Sequence, residues 1–144
     1  HLRTIGLSYY RLSLLSYLKD THPQFCDDDK FIKHRAEAAA EVYSITIKRF
    51  SSHPEAEAAA IEELYRGLHF SPYNTLVKVL WEEFPRVVPE EEAKETALRL
   101  LPLCLGIITK YSLTDDFADI PAYNYLYIEL TGAMQILLDD NGYL

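Results

Sequence analysis

Apolar residues recur every three or four positions along most of the chain, and each such run is bounded by proline, glycine or a short polar segment. This is the pattern of amphipathic helices separated by turns. The first predicted helix runs from about Gly6 to Thr21, with Tyr10, Leu14, Tyr17 and Leu18 on one side and Pro23 beyond its end. The second, Asp29 to Phe50, places Phe31, Ile32, Ala38, Ala39, Val42, Ile45 and Phe50 on one face and Lys30, Lys33, Glu37, Glu41, Ser44 and Lys48 on the other. The aspartates at 27 to 29 read as its N-cap and acidic first turn. Ser52 or His53 caps a third helix, with Pro54 at its first helical position and its end at about Leu68, and with Ala58, Ile61, Leu64, Tyr65 and Leu68 facing inward. Ser71 and Pro72 open a fourth, whose inner face is Tyr73, Leu76, Val77, Leu80 and Phe84, with Trp81 on the flank.

Leu98 to Ile108, LRLLPLCLGII, offers no polar side chain after Arg99. A helix apolar all round needs cover on every side, and eleven residues fall short of the ~20 that span a bilayer. The stretch is therefore expected to be the central element, with Leu101, Leu105 and Ile108 among the most buried residues. Pro102 predicts a kink near Leu98 to Leu101 in a helix from about Pro89 to Tyr111, and Gly106 a close helix crossing. Arg86 to Val88, between two prolines, reads as a stiff linker, and Ser112 to Asp119 as a polar loop. From Pro121 to about Leu138 the tyrosines at 123, 125 and 127 alternate like a strand, but the apolar spacing 126, 130, 133, 137 continues helically for three turns. The expectation is a single all-α domain, residues 1–144, of about six helices packed around a central apolar, Pro-kinked helix.

Charge narrows the partners. Residues 1–50 hold 8 Lys+Arg against 6 Asp+Glu, a balance of +2, whereas residues 51–144 hold 6 against 16, a balance of −10. The acidic two thirds should repel phosphate backbones, so nucleic acid is disfavoured as a partner. Cys26 and Cys104 are isolated, without the spacing of a disulfide framework or zinc site. No charged start, apolar core and small-residue cleavage site opens the chain, and no segment suits a membrane. A cytoplasmic location is expected.

Three stretches carry a resemblance. GLHFSPYNTLVKVLWEEF (67 to 84), YLYIELTGAMQILLDDNGYL (125 to 144) and LSYYRLSLLSYLKDTHP (7 to 23) resemble a family of small Bacteroidetes proteins known as domain of unknown function 1896. The likeness spans nearly the whole chain, through helix-packing patterns. It implies a compact all-α intracellular protein, often encoded on mobile elements, with no established activity and no catalytic residues to carry over.

The motifs of chemistry are absent. No Glu is followed by His three residues later, no two histidines stand four apart, the five glycines are scattered, and no G-x-S-x-G occurs. No catalytic residue, cofactor or metal is assigned. Arg35 and Arg49 break the pattern of the second helix, both projecting within about 20 degrees of Val42 on the apolar stripe. Such an arginine lays its stem on the core and points its head outward, or pairs it with a carboxylate or a helix C-terminal carbonyl; the alternative is an anion or carboxylate pocket formed with a residue such as Glu129. The other candidate is a protein-interaction surface. The chain has 11 Tyr, 6 Phe and 1 Trp, more than six short helices need inside. Tyr125, Ile128, Tyr143 and Trp81 are its candidate residues, Ile128 lying on the outer side of the last helix beside Asn124 and Gln135. The leading reading is a non-enzymatic interaction or accessory module whose partner is another protein or a second copy of the chain. Behind it stand a ligand-binding protein or enzyme using Arg35 and Arg49, and a nucleic-acid-associated accessory protein.

Overall fold

The computed structural model describes residues 2–50 and 52–142, with side chains from residue 6 onward except residue 50. All regular structure among them is helical, and each expected helical region is present. The chain divides into two compact units, His1–Leu68 and His69–Leu144, each with its own apolar cluster.

In the first unit, α1 (Leu2–Thr21), α2 (Asp29–Phe50) and α3 (His53–Leu64) follow one another. The caps are those the sequence indicates. Asp28 Oδ1 accepts from the Phe31 amide at 3.1 Å, and Ser52 accepts from the Glu55 amide at the start of α3. Tyr10, Leu14 and Leu18 are the buried side of α1. The most extensive helix pair is α2 with α3, and most buried residues of the two helices are small: Ala36, Ala39 and Ala40 beside Ile32 on one, Ala56 and Ala60 beside Leu64 on the other. The inward face of α2 is thus centred on Ile32, Ala36 and Ala39, and Ile45 is exposed, because alanine-lined faces allow two helices to approach more closely than a face of larger residues would. Ala58 is likewise exposed and Ala56 takes the inward place. After α3, Gly67 adopts a positive φ of 77°, the left-handed stop that glycine makes without strain.

In the second unit the element buried on most sides is α4 (Pro72–Glu83), where Tyr73, Thr75, Leu76, Val77, Val79 and Leu80 are all covered. Ser71 caps it, accepting from the Asn74 amide at 3.0 Å. The expected single kinked helix is instead divided. A 3-10 turn at Glu90–Glu92 leads into α5 (Ala93–Leu100), Leu101–Cys104 forms a second 3-10 segment at Pro102, and α6 (Leu105–Ile108) is one short turn. A missing N–H and a ring clash are relieved here by tightening the helix. Ala97, Leu100, Leu101, Cys104 and Ile108 face the core, whereas Leu98, Leu103 and Leu105 face out, Leu105 with 48% of its surface exposed. The expectation of a stretch covered on every side is corrected: α4 and α7 (Ala122–Asp140) pack against it, and they cover one side only. The stretch also serves only the cluster of the second unit. Gly106 is no close crossing, since a Cβ there would meet nothing within 4 Å.

Two connections are less idle than their composition suggests. Val88, in the expected linker, is buried. Phe117, in the expected polar loop, starts a 3-10 turn and inserts its ring edge-on to Phe70 at 4.9 Å, with Tyr111 at 5.9 Å and Tyr123 at 6.3 Å. A single apolar residue pins each connection to the core, Val88 in one and the aromatic ring of Phe117 in the other.

Candidate interaction surfaces

The last helix, α7, separates cleanly into two faces. Leu126, Leu130, Met134 and Leu138 are fully buried at spacings of four. Polar contacts on either flank fix its rotation. The Tyr127 hydroxyl lies 2.7 Å from Glu82 Oε1 and 3.1 Å from Glu83 Oε2 at the end of α4. Burial, reinforced by those two carboxylates, raises its pKa. On the other flank Glu129 is held by Lys110 Nζ at 2.6 Å and by the Tyr111 hydroxyl, which donates to it. The Lys110 contact first, then Tyr111, keeps the Glu129 carboxyl below its usual range.

With α7 so oriented, Tyr125, Ile128 and Ile136 point outward at 66%, 67% and 64% exposure. They lie with Gly132 at spacings of three, four and four, one stripe of a helix. A Cβ at Gly132 would meet nothing within 4 Å, so that glycine is a notch in an apolar ridge. Of the sequence candidates, Tyr125 and Ile128 share this stripe. Ile136 and Gly132 complete it, and their signal in the sequence is that same spacing. Trp81 is half exposed and lines a different recess, of about 460 Å³, with Glu90, Glu91 and Lys94. Tyr143 lies outside the described residues. Leu98, Leu103 and Leu105 are also exposed, where the apolar run predicts that they lie inside.

The first unit has its own open groove, of about 650 Å³, along α1, lined by Tyr9, Leu12, Tyr17, Asp20 and Tyr65 among others. The arginines stand elsewhere. Arg35 Nη1 donates to the carbonyls of Arg66 at 2.7 Å and Leu64 at 3.2 Å, and its guanidinium lies 5.0 Å over the Phe31 ring. These are carbonyls at and beyond the end of α3, where a cation is favoured. Burial, and Arg66 nearby, lower the Arg35 pKa. Arg49 is exposed and stands fourteen residues further along α2, about 21 Å at the helical rise. Glu129 belongs to the second unit, where Lys110 and Tyr111 hold it.

Other reactive groups are few. Cys104 is fully buried, and burial pushes its thiol up to about 11, which keeps it protonated and unreactive. His69 faces Asp115 at 3.8 Å, both exposed. Among the described residues no group of three His, Cys, Asp or Glu could hold a metal, and no helix is long and apolar enough to cross a membrane.

Among the described residues all regular structure is helical, with an apolar cluster in each unit and an exposed apolar ridge on α7, and the class this defines is an all-α protein. The chain belongs to the family described as Domain of unknown function (DUF1896), whose model matches residues 3–143. It is similar to a crystal structure of protein PG0816 from Porphyromonas gingivalis, a Bacteroidetes bacterium, with 40% sequence identity and a TM-score of 0.89 over 99% of this chain and 97% of that one. No curated protein matches the chain.

Proposed function

We propose that the protein is a non-enzymatic interaction module that docks a protein partner through the outer face of α7. One observation carries the reading: three large apolar side chains stand about two-thirds exposed on a single helical stripe around a glycine notch. Scattered exposed leucines are ordinary, but an aligned ridge on a rigid helix is the geometry by which one helix packs on another. Tyr125 adds a ring with a polar tip, the residue type enriched where proteins meet. A cytoplasmic setting agrees with Cys26 and Cys104 both being free thiols. The net charge of −8 favours a protein over a nucleic acid, and association with a mobile element is part of the proposal.

The test is a photo-crosslinking amino acid placed at Tyr125 or Ile136 in the full chain and activated in cells. A discrete adduct is expected from both positions, lost when Ile128→Lys is added and not formed from the exposed Glu62 on α3. Equal labelling from all three positions, or none from Tyr125 and Ile136, would overturn the reading.

A further inference from the structure

We propose that the occupant of the outer α7 face is a second copy of this chain, in an antiparallel, two-fold helix pair centred on Gly132. The inference rests on the reading of that face as a docking surface and names its partner. In a two-fold antiparallel pair centred on one residue, the position k before it stands level with the position k after it in the partner, and the same contact occurs twice. Ile128 and Ile136 lie four before and four after Gly132. Each isoleucine of one copy therefore meets the other isoleucine of its partner, and the missing side chain at Gly132 lets the two axes cross closely.

The polar residues obey the same centre. Tyr125 comes level with Asp139 and Asn124 with Asp140, so phenol and amide donors stand opposite carboxylate acceptors, while Glu129 comes level with Gln135. No carboxylate of the face is level with another. That matters for a unit holding 5 Lys+Arg against 12 Asp+Glu in residues 69–144, where careless self-contact would be repulsive. A parallel pairing in register would set Glu129, Asp139 and Asp140 each beside its own copy. Moving the antiparallel centre by one residue sets Ile128 level with Met134 or Leu138, both fully buried in the fold. Gly132 is the centre at which apolar and polar positions are both self-complementary.

The register gives the experiment. On a Cys26→Ser background, Gly132→Cys should form a disulfide dimer under mild oxidation, because the two sulfurs sit at the crossing, within the ~4.4–6.8 Å Cα separation a disulfide accepts. Ile128→Cys should not link to itself, its copies lying eight residues or about 12 Å apart along the axis. It should link when mixed with Ile136→Cys. In sedimentation equilibrium under reductant, the full-length wild type should move from 16.6 kDa toward twice that mass with concentration, more readily at higher salt, which screens the acidic units from each other. Ile128→Lys should stay monomeric. A wild type that remains monomeric at every concentration overturns the second copy as partner, while an in-cell adduct from Tyr125 to a different protein would leave the docking reading standing. Self-linking of Ile128→Cys as fast as Gly132→Cys overturns the antiparallel centre.

Discussion

Thr96 is buried on α5 with no partner for its hydroxyl. A buried hydroxyl without a hydrogen bond has lost its water for nothing, and replacing it by a methyl of the same shape removes that cost. Thr96→Val should therefore stabilise the fold by about 1 kcal/mol in urea unfolding; a loss of that size would contradict the assignment. Cys104 and Tyr10 contribute to the alkaline limit, as do Tyr65, Tyr73, Tyr111 and Tyr127, whose phenols are also raised. Burial raises the thiol from 9.0 to about 11 and, with Glu57 close by, the Tyr10 phenol from 10.0 to about 12. The folded chain holds both protons longer than the unfolded one, so this stability is complete below pH 9 and is lost as pH rises toward 11 and 12. The melting temperature should fall through that window, and Cys104→Ala should flatten its lower part. Arg35 was legible as a residue needing a partner, because its place on an apolar stripe follows from helical period alone. Its actual partners, the backbone carbonyls of Leu64 at the end of α3 and Arg66 beyond it, depend on which helix lies alongside, and no periodicity states that.

At the scale of elements, helix ends were the most legible part of the fold. Serine or aspartate before a run, with proline in the first turn of α3 and α4, satisfies the free amides locally, so Asp28, Ser52 and Ser71 cap where sequence places them. Helix faces were less legible. The alanines of α2 and the leucines around Pro102 show why: side-chain hydropathy says which residues can be buried, while the number of neighbouring helices says which are. Leu101 and Leu105 are alike in composition and opposite in burial. Leu101→Ala should cost on the order of 2 to 5 kcal/mol, whereas Leu105→Ala should stay within about 0.5 kcal/mol, a contrast that chemical denaturation of the two variants reads directly. Phe117 teaches the converse lesson: one aromatic residue in a polar segment anchors a loop that composition alone leaves in solvent.

For the molecule as a whole, all-α architecture was legible because periodic runs and their breakers agree along the entire chain. The presence of two apolar clusters was not, since Leu98–Ile108 reads as a centre for everything. The candidate surface was half legible: Tyr125 and Ile128 stand out as apolar residues on a polar side, but the stripe becomes a face only when Leu126, Leu130, Met134 and Leu138 are seen to take the opposite one. Charge belongs to this scale too. At physiological salt the −8 chain should not retard duplex DNA in a gel at micromolar concentration, and salt-sensitive submicromolar binding would contradict the charge argument.

The division of α7 into a folding face and a docking face is tested most directly by the unfolding free energy of an Ile128→Lys, Ile136→Lys double variant, measured at a concentration low enough to keep the wild type monomeric. Two large apolar residues that serve only a partner contribute nothing to the monomer's fold, so the double variant should unfold within about 0.5 kcal/mol of wild type. A loss of 2 kcal/mol or more, of the order expected for buried isoleucines, would show that the outer face is part of the fold and not a surface held open for a partner.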